Sequence, residues 1–135
     1  MKILLDTNVI LDYLTKRNDN YINMTEIVDS CVNKKNQGFI TSHSITDFYY
    51  ITRKYMPDND RIEWTRFIVN TFTILTEDKQ AFINCLNAED LDDLKDQHQM
   101  ECSAAAELDY IITRNLKDFE NSKVPALSSE EFLKL

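Results

Sequence analysis

A single glycine, Gly38, serves the whole 135-residue chain. That scarcity excludes the glycine-rich phosphate loops, which need several glycines so that backbone can approach a phosphate. Two prolines, Pro57 and Pro125, leave little to interrupt helices and argue for short connections. The three cysteines, Cys31, Cys85 and Cys102, are odd in number and lack metal-ligand spacing. They read as reduced core thiols of a cytoplasmic protein rather than as a disulfide framework. The two histidines, His43 and His98, also lack the spacing of a metal pair and read as surface or cap residues. No apolar run approaches the roughly 20 residues of a membrane span. Asp6 breaks the N-terminal run too early for the core of a signal peptide. Positive charge is scarce as well: 15 Lys and Arg face 23 Asp and Glu, for a net charge of −8. Nonspecific nucleic-acid binding needs a basic field, so this balance argues against it unless metal ions cancel the charge locally. It favours cations or a basic protein partner.

What is present is an ordinary globular composition, 43% hydrophobic and 28% charged, over a length typical of one domain spanning residues 1–135. Lys2 to Asp6 reads as a buried strand, and Asn8 to Lys16 as a helix with its apolar face on Val9, Ile10, Tyr13 and Leu14. Ile22 to Asn33 repeats the helical pattern, and Gly38 is placed as the stop after it. A strand is expected over Phe39 to Thr41, then a helix through Ile45, Phe48, Thr52 and Tyr55. Further helices are expected over Asp58 to Asn70, Asp78 to Leu86 and Asp93 to Leu108. Strands are expected at Phe72 to Leu75, Tyr110 to Thr113 and Val124 to Leu127, with Ser129 capping a last helix. Alternating strands and helices predict an α/β fold of three layers, a mostly parallel sheet of four or five strands between helices. In such sheets ligands bind outside the carboxyl ends of the strands.

Acids and amides collect at those ends. Asp6 ends the first strand, Asp47 lies early in the helix after the second, and Asp93 and Asp96 open the longest helix. Asn115 and Asp118 follow the fourth strand. Two carboxylates about 4 Å apart repel by roughly 4 kcal/mol at a moderate dielectric, so a real cluster needs protons or divalent cations. Oxygen donors without His or Cys favour Mg²⁺ or Mn²⁺. Each acid also has an ordinary reading. Asp6 suits a turn or cap, Ser44 and Asp47 have capping-box spacing, and Asp93, Asp96 and Asp118 suit helix starts. The acidic stretch NAEDLDDLKD reads mostly as a solvated face.

Three segments, LLDTNVILDYL, SHSITDFYYITRK and DLKDQHQMECSAAAELDYIITRNLKDF, together resemble PIN-domain ribonucleases, most closely the VapC-type toxins of toxin–antitoxin pairs. The likeness runs from Lys2 to the last helix. It implies a PIN-like fold and a Mg²⁺- or Mn²⁺-dependent endoribonuclease, cytoplasmic, acting on an RNA such as a tRNA or rRNA loop. It also implies a cognate antitoxin and a homodimer. Asp6 matches the first metal-binding acid, Asp47 the position of a Glu, Asp96 the acid opening the long helix, and Asp93 a second acid beside it. Thr113 and Asn115 match a T-x-D segment in which Asn115 replaces Asp, and Asp118 trails it. Catalytic roles are thus implied for Asp6, Asp47, Asp96 and Asn115, and metal contacts for Asp6, Asp47, Asp93, Asp96 and Asp118. Thr7 and Asn8 match small polar residues that orient the first acid and the phosphate. Substrate contacts are expected from Thr7, Asn8, Thr113, Arg114 and Lys117, whereas Arg53 and Lys54 read more readily as solubilising charge. Tyr49, Tyr50 and Tyr55 suit a dimer contact or core packing.

Two departures keep a second reading open. Asp47 is one methylene shorter than Glu, and Asn115 is neutral. A PIN-like scaffold with weak or lost activity, acting as a protein- or RNA-binding module, is the alternative. A receiver-like module would want an Asp where Leu75-Thr76-Glu77 stands, and an Asp nucleophile phosphatase would want a D-x-D pattern that Asn8 breaks.

Overall fold

Lys2–Leu5 forms the first strand, β1, with Ile3 and Leu5 packed on one face and Leu4 on the other, all fully buried. A strand apolar on both faces belongs at the centre of a parallel sheet. In the computed structural model, which describes residues 1–89 and 91–135, β1 is the middle strand of five. It pairs in parallel with β2 (Gln37–Thr41) and with β4 (Tyr110–Ile112). Beyond these lie β3 (Thr73–Leu75) and β5 (Ala126–Leu127), giving the order β3-β2-β1-β4-β5 with every pairing parallel. All five carboxyl ends therefore point to one edge.

One face of the sheet is covered by α1 (Thr7–Thr15), α2 (Asn20–Val32), α3 (Ser42–Ile51), α4 (Asp58–Thr71) and the short α7 (Ser129–Leu133). Val9, Ile10, Met24, Ile27, Phe48, Ile68 and Phe132 from these helices pack on Ile3, Leu5, Ile40 and Ile112. A fully buried side chain of this kind is worth about 1.5–3 kcal/mol relative to exposure. The opposite face packs Leu4, Phe39 and Ile111 with Leu108, Phe119 and Val124, and α6 (Leu94–Ala105) adds Met100 and Ala104. The helix α5 (Lys79–Leu86) packs against α6. Asp90, within the acidic stretch, lies outside the described residues.

Several elements differ from their sequence-based expectation. Gly38 lies inside β2 and is not a helix stop; a Cβ there would come within 2.4 Å of the Phe72 ring and 2.9 Å of Cys31 Sγ. Its small size is used for close packing, and the chain leaves α2 through Lys34, at φ 60°. The helix α6 ends three residues before Leu108, because Glu107 turns left-handed (φ 54°) and the Leu108 N–H bonds the Ser103 carbonyl. That is a Schellman-type end made without glycine. Ser128, not Ser129, caps α7: its Oγ accepts from the Glu131 N–H at 3.1 Å while Glu131 accepts from the Ser128 N–H at 2.8 Å. Ser129 Oγ instead donates to Asn20 Oδ1, tying α7 to α2. Ser44 is no capping residue either, since α3 starts at Ser42 and Ser44 sits buried within it.

Candidate functional site

Where β1 gives way to α1, Asp6 is only 3% exposed. Its carbonyl accepts the Val9 and Ile10 N–H groups, as a residue preceding a helix should, but its side chain caps nothing. The carboxylate turns across the sheet edge instead. Oδ1 accepts from Gln99 Nε2 of α6 at 3.0 Å, and Oδ2 accepts from Thr113 Oγ1, just past β4, at 2.9 Å. Thr113 Oγ1 in turn accepts the Asn115 N–H at 3.0 Å. The desolvation of Asp6 is thus offset by two donors from two other elements. Neighbouring Thr7 is buried, and its Oγ1 lies 2.6 Å from Ser44 Oγ, which also contacts Thr41 Oγ1 at 2.9 Å. Asn8 is half-buried in the first turn of α1.

Asp96 faces the same region from the first turn of α6. Burial, then Asp93, Asp6 and Asp118, push its carboxyl up to about 6, against a smaller opposing effect of Lys95. Asp96 therefore lies near acids from its own helix start and from two other segments. Asp93 is an exposed helix cap, its Oδ1 accepting the Asp96 N–H at 3.0 Å. Asp118 and Asn115 are exposed at the 3₁₀ turn Leu116–Phe119 and just before it. A cleft of about 390 Å³ opens here, lined among others by Asp93, Asp96, Lys117 and Asp118. Asp47 is half exposed on α3 and paired at 3.3 Å with Lys95, the residue before Asp96 on α6.

Every donor in the cluster is an oxygen, the set that suits Mg²⁺ or Mn²⁺ better than Zn²⁺. The repulsion felt by Asp96 is what a divalent cation relieves, and Asp6, Asp93, Asp96 and Asp118 suit such an ion in donor type and charge; among the described residues, no three of these acids bring an oxygen each within 4.8 Å of one another. Gln99 Oε1 is buried without a hydrogen-bond partner among the described residues, on the same amide whose NH₂ holds Asp6, and offers one more oxygen.

Arg114 does not stand free. Its Nε lies 2.7 Å from Asp12 Oδ2 in an ion pair, and the fully buried Asp12 also accepts from Arg17, Asn18 and Asn20. Lys117 remains exposed on the cleft wall. Arg53 lies over the Tyr50 ring at 3.6 Å, and Arg61 covers Tyr49 at 4.2 Å. Tyr50 and Tyr55 are exposed.

Sequence reasoning missed Gln99, Asp12 and Ser44. Gln99 had a signal, since it lies three residues after Asp96 and so on the same helix face. Asp12 had no such signal, because its partners lie past the end of α1, at Arg17, Asn18 and Asn20, and beyond β4, at Arg114. The histidines need correction. His98 is only 2% exposed, not a surface residue, and its Nε2 lies 3.0 Å from Glu77 Oε2; His43 Nδ1 lies 3.4 Å from the same oxygen. Burial pushes His98 down from its ordinary value, against the pull of Glu77. The cysteines are free and buried as expected, and burial raises Cys31 and Cys102 to about 11.

With this geometry in view, three comparisons bear on kinship. The PIN domain family profile matches residues 2–117. No curated protein sequence matches the chain. Solved structures share the fold. A toxin–antitoxin complex from Klebsiella pneumoniae has a TM-score of 0.70 at 21% identity, covering 94% of this chain and 97% of its own. VapBC2 from Rickettsia felis, bound to a DNA fragment from their promoter, has 0.69 at 18%, covering 95% and 98%. VapC20 from Mycobacterium tuberculosis, a sarcin–ricin loop cleaving toxin, has 0.64 at 6%, covering 81% and 86%. The profile runs from β1 through β4 and takes in Asp6, Asp47, Asp93, Asp96 and Asn115, and a match over that much of the sequence shows that this chain belongs to the PIN domain family.

Proposed function

We propose that this chain is a metal-dependent endoribonuclease, the toxin of a toxin–antitoxin pair, built as one domain over residues 1–135. The observation that carries the reading is the buried Asp6 carboxylate at the end of β1, held by Gln99 and Thr113, with Asp96 near enough that its carboxyl is raised by burial first and then by Asp93, Asp6 and Asp118. The Klebsiella structure is a toxin–antitoxin complex, and the Mycobacterium protein is a sarcin–ricin loop cleaving toxin, which supports the same class.

In this reading Asp6 and Asp96 hold the ion, with Asp93, Asp118 and Asn115 around it and Asp47 joining from Lys95. When bound, Mg²⁺ or Mn²⁺ would supply Lewis-acid stabilisation of the phosphate and a more acidic water. Gln99 and Thr113 keep the Asp6 carboxylate from rotating, so its geometry is set before substrate arrives. Lys117, exposed on the cleft wall, meets a phosphate, and Asn8 and Thr7 orient groups beside Asp6. Arg114 serves the fold through Asp12 and lends substrate at most its outer face. The antitoxin is a basic segment laid over the acidic cleft, held electrostatically and so weakened by salt. Exposed Tyr50 and Tyr55 suit the contact between two copies.

The test is cleavage of RNA by the purified chain, with Mg²⁺ or Mn²⁺ and with EDTA, beside Asp6→Asn. Cleavage that needs metal and falls at least about 100-fold in the variant is expected. Cleavage indifferent to both EDTA and the substitution would reject the assignment. A second reading rests on the Asp47–Lys95 pair and the neutral Asn115: a PIN scaffold with little activity that binds protein or RNA. It predicts a folded chain that cleaves nothing with either metal yet still binds its partner.

A further inference from the structure

We propose that His43, Glu77 and His98 form a second cation site, distinct in chemistry from the acidic cleft and suited to zinc. The three residues come from three segments: the first turn of α3, the loop between β3 and α5, and the middle of α6. Their ligand atoms all lie within 4.8 Å of one another, and no other group of three or more His, Cys, Asp or Glu does so among the described residues. Glu77 Oε2 is the hub, 3.4 Å from His43 Nδ1 and 3.0 Å from His98 Nε2. Zinc bonds of about 2.0–2.1 Å to nitrogen and oxygen put tetrahedral ligands roughly 3.3 Å apart, which the two distances to Glu77 match, while the two imidazole nitrogens lie within 4.8 Å of each other. Two imidazoles and one carboxylate are a borderline donor set, unlike the all-oxygen cleft.

The surroundings support the assignment. His43 has its other ring nitrogen, Nε2, 3.2 Å from Thr41 Oγ1, which continues to Ser44 and Thr7. An outer-sphere partner of this kind fixes the tautomer and orientation of a ligating imidazole. Phe82 stacks on the His98 ring at 5.7 Å between centroids, an apolar wall on that side. Cys102 Sγ lies 3.2 Å from His98 Nε2 but is not one of the three converging atoms. The consequence concerns α6. His98 sits between Asp96 and Gln99, so an ion here ties the helix that carries both to the ends of β2 and β3. Zinc thus steadies the elements that shape the acidic cleft without entering it.

The experiment titrates the full chain with Zn²⁺ while excess Mg²⁺ occupies oxygen sites, reading heat by calorimetry, and repeats it with Co²⁺ as an optical probe. One equivalent is expected, with the intense visible absorption of tetrahedral Co²⁺ and a rise in Tm on loading. His43→Ala and Glu77→Gln should each weaken binding at least about tenfold, while Asp96→Asn leaves it unchanged. His43 and Glu77 are partly exposed, and circular dichroism identifies a variant that fails to fold. Binding of no stoichiometric ion, or binding equal in wild type and folded Glu77→Gln, would leave a hydrogen-bonded cluster only and overturn the site. Loss in Asp96→Asn with retention in His43→Ala would assign the ion to the cleft and overturn it equally. None of these readouts depends on RNA cleavage, so the site stands or falls apart from the nuclease reading.

Discussion

Asp96 is a residue that the fold does not help to ionise. Its carboxylate has no hydrogen-bond partner among the described residues, and burial together with Asp93, Asp6 and Asp118 holds its pKa at about 6. A first-turn position favours negative charge by about 0.3–1 kcal/mol, and here that benefit is outweighed. Because the folded state disfavours the charged form, the charge costs stability as pH rises through the ordinary carboxylate range, and the full cost is present above about pH 6. For a half-buried group the cost is on the order of 1 kcal/mol once solvent screening is counted. Asp96→Asn should therefore raise the Tm of the metal-free chain at about pH 8 by a few degrees while abolishing cleavage. Added Mg²⁺ should raise the Tm of wild type and do little for the variant. A variant less stable than wild type in EDTA would mean that Asp96 is structural. Asp6 presents the opposite case. It is more buried than Asp96, yet Gln99 and Thr113 satisfy it. Its position at a strand end was legible in LLDTN; the spacing from Asp96 put Gln99 on the same helix face, but its role as the donor to Asp6 was not legible, because a buried amide looks like any helix-surface glutamine until its partner is known.

At the scale of elements, Gly38 carries the clearest packing constraint. Its missing Cβ is the space taken by the ring of Phe72, the residue that leaves α4 and leads into β3. Gly38→Ala forces the ring or the strand to move, and overpacking of this sort costs typically about 1–3 kcal/mol. Urea unfolding should show that loss. Combining Gly38→Ala with Phe72→Leu should remove most of it, measured against Phe72→Leu alone. A penalty undiminished when Phe72→Leu is also present would place its cause elsewhere. This constraint was invisible in the sequence, where a glycine after KKNQ looks like a helix end. The helices themselves were legible, since the apolar positions of α1, α2 and α3 follow the helical period and need no tertiary knowledge. The ends were less so. Lys34 and Glu107 take left-handed backbone that usually calls for glycine, and nothing in their chemistry announces it. Asp47 was placed on the right helix, but Lys95, a residue from α6, decides where its carboxylate goes.

For the whole molecule, the parallel sheet and the acids at its edge followed from the alternation of strands and helices, whereas charge balance pointed away from RNA. Those two signals meet in the cleft. The chain carries a net charge of −8, and the cleft walls are mostly acid with Lys117 as a basic exception. Arg114, which follows β4, is engaged by Asp12, and Arg61 by Tyr49 and Asp58, so neither adds a free cation beside Lys117. RNA binding without metal should then release few counterions. With single-stranded RNA, the slope of log K against log salt is about −0.7 for each phosphate neutralised. Fluorescence anisotropy in EDTA should give weak binding and a slope no steeper than about −1.4, the value for two phosphates. Lys117→Ala should make that slope shallower. A slope several times steeper would reveal a basic groove on this surface and would move the RNA away from the acids, separating the site of binding from the site assigned to cleavage.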